Sequence, residues 1–166
     1  DIHTHARRGI FELPTADNYV RQGVTTLVEG PDGSSDVPLG PFLAKLAATR
    51  ITPNMASFIG QGSIRSEVMG AVNRPATPEE IDRMRVLVRQ GMEDGAFGLS
   101  SGLFYVPGAF TPTAEVVELA KVAGGRGTLE EMMKGIREGT AKELPVLIKA
   151  DVQGSAEALA GAIQRL

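Results

Sequence analysis

Val24-Thr25-Thr26-Leu27-Val28 is a compact, β-branched run that empties into the turn-rich stretch Gly30-Pro31-Asp32-Gly33-Ser34-Ser35. A short apolar run closed by glycine and proline is the pattern of a buried strand entering a loop. Downstream, Phe42, Leu43, Leu46 and Ala47 share one face of a helix predicted from about Pro41 to Thr49. Asn54 to Ile59 reads as the next strand and again ends on glycines, Gly60 and Gly62. The strongest helix signal opens at Thr77-Pro78-Glu79-Glu80. There Thr77 can cap, Pro78 sits where its missing N–H is harmless, and Glu80 completes a capping box. Ile81, Met84, Val88 and Met92 follow at helical spacing until Gly95 stops the run. Ala96 to Ser100 is then a strand, Tyr105-Val106-Pro107-Gly108 a loop, and Thr113 to Ala123 a further helix. With Asp1-Ile2 taken as the end of a first strand, four strand-like segments alternate with helices, the rhythm of βα units.

The glycine-rich Gly124-Gly125-Arg126-Gly127 interrupts this rhythm and reads as a flexible joint, since it follows a helix and lacks the Lys-Ser/Thr ending of a phosphate loop. Past it, Thr128-Leu129-Glu130-Glu131 is another capping box opening a helix to about Glu138, Leu144 to Ala150 a strand, and Ser155 to Leu166 a helix. In a chain of 166 residues, 42% hydrophobic but only 5% aromatic, the core is expected to be aliphatic. A net charge of −3 offers no field for nucleic acid or an anionic membrane. The absence of cysteine excludes disulfides and thiolate ligands. No run is long enough to span a membrane, so the cytoplasm is the expected location, although a chain that begins at Asp1 can have lost an upstream signal.

His3-Thr4-His5 contains both histidines of the chain. Residues two apart on a strand point to the same side, so two imidazoles can reach one cation, and neutral imidazole suits zinc and similar metals. The plainer reading is a pair of exposed side chains on a frayed terminus. Asp1 is either an acceptor orienting an imidazole or merely the first residue. Asp32 stands in an Asp-Gly pair, which is also a common turn. Arg65 has the fork that grips a carboxylate, or is a surface arginine; Tyr105 is a hydrogen-bond donor in a loop, or a packed ring.

Asp1-Ile2-His3-Thr4-His5 resembles the opening of the amidohydrolase superfamily, and the segments after it resemble its N-acyl-D-amino-acid deacylase (D-aminoacylase) group. Gln22 to Val28 is similar to that group's second strand. Phe58-Ile59-Gly60-Gln61-Gly62-Ser63-Ile64-Arg65 with Val68-Met69-Gly70 is similar to its Gly-His-Gly-x-x-Arg…Val-Met-Gly stretch. Arg74 through Met84 and Gly98-Leu99-Ser100-Ser101-Gly102-Leu103-Phe104-Tyr105-Val106-Pro107-Gly108 continue the match to about Ala123. The resemblance implies a (β/α)8 barrel with zinc or a similar divalent metal at the C-terminal ends of its strands, acting on the amide bond of a small N-acyl-D-amino acid. It makes His3 and His5 ligands of the first strand and places Asp32 where many members carry a cysteine ligand, with Glu29 a lesser candidate. Arg65 and Tyr105 become substrate-binding positions. Gln61 stands where the group has histidine. The resemblance also implies later histidine ligands and a catalytic aspartate, yet no histidine follows His5.

From about Thr128 the chain resembles something else. Lys149-Ala150-Asp151-Val152-Gln153-Gly154-Ser155-Ala156-Glu157-Ala158-Leu159, with the helix before it, is similar to the start of the third domain of bacterial translation initiation factor two. Without a GTP-binding motif, no GTPase role carries over. The expectation is therefore a chimera: residues 1–123 as half of a TIM-type β/α barrel of about four βα units, 124–127 as the joint, and 128–166 as a helix-strand-helix piece. In this α/β fold the added piece extends the half barrel into a five-stranded parallel sheet. Exposed sheet edges would favour self-association. The expected activity is weak or absent; the alternative is a non-catalytic chimera, engineered or artefactual.

Overall fold

The computed structural model describes residues 1–124. The chain divides into two units, Asp1–Gly125 and Arg126–Leu166, and the elements below all lie in the first. The helices expected at 128–138 and 155–166, the strand at 144–150 and Asp151 lie outside the described residues, as does the fifth strand of the expected sheet.

Strand β1 (Thr26–Glu29) pairs in parallel with β2 (Asn54–Ser57), from Thr26 opposite Asn54 to Glu29 opposite Ser57. Strand β3 (Ile59–Gly60) pairs in parallel with β4 (Leu99–Ser100). These are two two-stranded sheets, but β2 and β3 are one run broken only at Phe58. Phe58 N–H donates to the Glu29 carbonyl (2.9 Å) and Phe97 N–H to the Ser57 carbonyl (2.8 Å), so this run lies between β1 and the approach to β4.

The amino-terminal segment lies along the other side of β1: Val28 N–H reaches the Asp1 carbonyl (2.8 Å) and Thr4 N–H the Val28 carbonyl (3.1 Å). His3 N–H does not join this ladder, because the Asp1 carboxylate takes it at 2.9 Å. Four extended segments therefore succeed one another in sequence order, all parallel, as βα connections require.

The helices are α1 (Asp17–Val20), α2 (Gly40–Thr49), α3 (Gln61–Met69), α4 (Pro78–Asp94) and α5 (Thr113–Ala123). Two short 3-10 turns, Ala6–Arg8 and Gly108–Phe110, interrupt the loops. Helix α4 begins as its sequence requires. Glu80 N–H donates to Thr77 Oγ1 (3.3 Å), and Thr77 N–H donates to Glu80 Oε2 (2.8 Å). It stops at Gly95, whose φ of 115° is costly for any side chain.

The core is aliphatic, as the composition requires: Leu27, Leu39, Ile59, Ile64, Met84, Val88 and Leu119 are fully buried. Each such side chain contributes about 1.5–3 kcal/mol by leaving water. Helix α4 packs on β3 through Gly91, where a Cβ would come within 2.8 Å of the Ile59 side chain. Strands thus end on one side of a packed helical layer, and their C-terminal ends carry the loops that matter below.

Candidate metal centre

His3 and His5 flank Thr4, which is buried and fixed to β1 by both its N–H and its hydroxyl on the Val28 carbonyl (3.1 Å each). With Thr4 turned into the protein, its two neighbours are turned the other way. Asp32 reaches them from the loop after β1. Its Oδ2 lies 3.0 Å from His3 Nε2 and 3.5 Å from His5 Nε2. The two rings stand edge to face with centroids 5.6 Å apart.

Among the described residues, these three side chains form a group whose ligand atoms all lie within 4.8 Å of one another. A tetrahedral zinc with bonds of about 2.0–2.1 Å holds its ligands roughly 3.3 Å apart, so the donor spacing suits such an ion. Two neutral imidazoles and one carboxylate leave a divalent ion a net positive charge and an open position, the donor set of catalytic rather than structural zinc.

The loop that presents Asp32 is held in an unusual conformation. Gly30, Asp32 and Gly33 all have positive φ, at 79°, 57° and 74°. Aspartate is one of the few side-chain-bearing residues that visits this region readily. Around the turn, three glycines make a cradle. A Cβ on Gly102 would lie 2.1 Å from the Asp32 carbonyl oxygen, one on Gly60 would lie 2.5 Å from Gly33, and one on Gly62 would lie 2.9 Å from the Gly33 carbonyl oxygen. Ser63 N–H donates to the Gly33 carbonyl (3.0 Å). Arg7, just past the histidines, donates from its guanidinium to the Ser34 carbonyl (2.7 Å) and hydroxyl (2.6 Å). The elements bearing the imidazoles and the carboxylate are therefore tied to each other directly.

Glu29 is buried at the end of β1 and stands outside the trio. Burial pushes its carboxyl up, opposed by the Arg7 N–H (3.2 Å) and the Arg7 charge. Asp1 serves the backbone of His3 rather than an imidazole.

Arg65 is placed differently from a substrate-facing fork. It is fully buried on α3, paired with Glu115 of α5, and also donates to the Arg74 and Phe110 carbonyls. The carboxylate it grips comes from within the chain. Gln61, one turn earlier, is buried beside it and donates to Thr111 Oγ1 (3.0 Å) and Glu115 Oε1 (3.1 Å). Tyr105 lies exposed in the loop after β4, edge-on to Phe104 with ring centroids 5.5 Å apart. The structure thus brings together His3, His5 and Asp32, while Arg65 is engaged by Glu115 and two backbone carbonyls. Arg7, Ser63 and Ser100 support the Asp32 turn without a distinctive sequence signal: Ser100-Ser101-Gly102 is a run of small residues, and small residues do not announce what they touch.

Two imidazoles beside the C-terminal end of β1 and a carboxylate in the loop that follows it form a cluster with the donor chemistry that divalent metals take. Comparison with known proteins goes further. The chain is 32% identical over 150 residues to a D-aminoacylase of Alcaligenes xylosoxydans xylosoxydans, a match covering 76% of this chain and 31% of that protein. An N-acyl-D-glutamate deacylase of the same organism is 28% identical over 151 residues, covering 78% of the chain and 31% of that protein. A solved D-aminoacylase with a binuclear metal centre superposes with a TM-score of 0.70 at 26% identity, over 99% of this chain and 44% of that one. An N-acyl-D-glutamate deacylase of Bordetella bronchiseptica, complexed with zinc and a phosphonate mimic of the tetrahedral intermediate, gives 0.68 at 26% identity, over 99% of this chain and 44% of that one.

A separate segment matches another family: a model described as translation-initiation factor 2 covers residues 118–166. Translation initiation factor IF-2 of Granulibacter bethesdensis is 59% identical over 46 residues, 28% of this chain and 5% of that protein. The chain is therefore similar to the D-aminoacylase kind of amidohydrolase in sequence and fold, and to initiation factor IF-2 over a separate segment. It spans about a third of the length of the curated deacylases it matches.

Proposed function

We propose that residues 1–123 carry part of a metal-dependent amidohydrolase site for N-acyl-D-amino acids, in which His3, His5 and Asp32 hold a divalent ion such as zinc. The observation that carries this reading is the convergence of the three ligand atoms within 4.8 Å. Such an ion, when bound, lowers the pKa of a water and polarises the scissile carbonyl. The chain's own groups would hold and position that ion. His3 and His5 offer neutral nitrogen donors, Asp32 supplies the compensating charge, and Arg7 and the glycine cradle keep the carboxylate aimed. Tyr105, exposed on the loop after β4, is the candidate to donate to substrate; Arg65 is read as holding α3, α5 and the Phe110 turn together.

Because the chain has only two histidines, the later ligands implied by the deacylase resemblance have no counterpart in it. Turnover by this chain alone is expected to be weak or nil. The test is release of amino acid from N-acetyl-D-methionine by the zinc-loaded protein, beside a His3→Ala/His5→Ala double variant. Hydrolysis that is equal in the two proteins removes the trio from any chemistry.

The second reading, a non-catalytic chimera, is favoured by the separate match to initiation factor IF-2 at 118–166. Recovery of the junction within one contiguous genomic read would argue against an artefact of joined fragments. Self-association through open sheet edges belongs to the same reading, and light scattering tests it. A cytoplasmic setting is likewise proposed; no helix among the described residues is long and apolar enough to cross a membrane.

A further inference from the structure

Ser100 ends β4, 68 positions beyond Asp32 in the chain, yet its hydroxyl touches the Asp32 turn twice. Gly33 N–H donates to Ser100 Oγ (3.2 Å), and the Ser100 hydroxyl donates to the Gly30 carbonyl. One hydroxyl thus accepts from one end of the Gly30–Gly33 turn and donates to the other, with Asp32 between them. All three φ angles that make the turn unusual (Gly30, Asp32 and Gly33) lie inside this clasp. Asp32 tolerates a left-handed conformation better than most side chains, but it is the one non-glycine residue of the three, and contacts from outside the turn add to its hold.

We propose that Ser100 is a positioning residue for the metal ligand Asp32: its hydroxyl clasps the turn in the one geometry that aims the carboxylate at His3 and His5. The inference rests on the reading of the trio as a metal site and adds to it a group that makes no contact with the ion. Two neighbouring features agree. Gly102, two residues on, lies against the Asp32 carbonyl so closely that any side chain would displace it. Ser63 N–H holds the Gly33 carbonyl (3.0 Å), so the far end of the turn is held from α3 as well as β4. Without the Ser100 hydroxyl, the Gly33 N–H and the Gly30 carbonyl both lose a partner, and the turn is free to relax toward right-handed conformations that carry the carboxylate away.

The test is Zn²⁺ affinity of the whole chain, measured by competition with a chromophoric chelator, for the unaltered protein and for Ser100→Ala, Ser100→Thr, Ser101→Ala and Asp32→Asn. Loss of an outer group that orients a ligand typically weakens binding by about 10–100-fold, and that is the effect expected for Ser100→Ala, with circular dichroism and cooperative melting retained. Ser100→Thr, which keeps the hydroxyl, should recover most of the affinity, and Ser101→Ala should bind as the unaltered protein does. Equal affinity in Ser100→Ala and the unaltered protein, with Asp32→Asn impaired, overturns the role of Ser100 and leaves the metal site standing. A Ser100→Ala chain that no longer folds also overturns it, since the hydroxyl then serves the fold. No zinc binding by the unaltered protein, or binding indifferent to Asp32, overturns the site and the inference together.

Discussion

Asp32 shows how a turn residue and a candidate ligand can be the same residue. An Asp-Gly pair signals a turn, and the turn is there, with Asp32 at φ 57° and Gly33 at 74°. That turn is what carries the carboxylate to 3.0 Å from His3 Nε2. The turn reading holds, and the turn leaves the carboxylate where a ligand reading needs it. The cradle around the turn was not legible, because glycines that admit a backbone look the same in sequence as glycines that loosen a loop.

Gly102→Ala tests the cradle directly. Its Cβ would lie 2.1 Å from the Asp32 carbonyl oxygen, and backbone cannot yield as a flexible side chain does. We expect a loss of about 1–3 kcal/mol in urea unfolding, of the size overpacking usually costs, together with loss of metal binding. A variant as stable as the parent, with intact metal affinity, would mean that the Asp32 turn is not held there.

Among the elements, α4 and α5 were legible and α3 was not, for a reason visible in what each buries. Helix α4 displays apolar residues at helical spacing behind a capping box, and α5 runs over the residues expected. Helix α3 buries Gln61, Ile64, Arg65 and Val68, a set at helical spacing in which half the members are polar. A periodicity read from hydrophobicity alone cannot see it. The polar half is held by Glu115, which pairs with Arg65 and accepts from Gln61.

Glu115→Ala strands a buried guanidinium. The expected cost is about 3–5 kcal/mol, the penalty for breaking rather than replacing a buried pair, read from the urea midpoint. A loss under about 1 kcal/mol would place this pair with the weak surface pairs instead.

The N-terminus of α4 carries a pH dependence of known sign. The hydrogen bonds from Arg74, and then from Thr77 N–H, hold the Glu80 carboxyl down from 4.5 to about 2. A carboxyl lowered on folding stabilises the native state fully above its unfolded value and loses that contribution as pH falls from 4.5 toward 2. Glu80→Gln should therefore flatten the acid limb of the stability curve in that window and leave its shape near neutral pH unchanged. An identical acid limb in both proteins would contradict the Arg74 and Thr77 contacts.

Across the described residues, four parallel extended segments in sequence order are anticipated from alternating apolar runs and helices, and the hydrogen bonds place them so. Their regular pairing is shorter than the apolar runs suggested. His3 N–H is diverted to the Asp1 carboxylate, and Phe58 separates β2 from β3. Local side-chain competition of this kind leaves no trace in a hydrophobic pattern. Long-range placement was beyond composition and spacing as well: that Ser100 and Gly102 would close on Asp32 follows from strand order, not from any local signal.

Whether His3, His5 and Asp32 form one metal site is decided by the zinc content of the purified chain after exposure to excess Zn²⁺ and gel filtration, read by atomic emission beside the His3→Ala/His5→Ala variant. The expected result is about one equivalent of zinc retained by the unaltered chain and essentially none by the variant. Equal zinc in the two proteins, or none in either, would contradict the site.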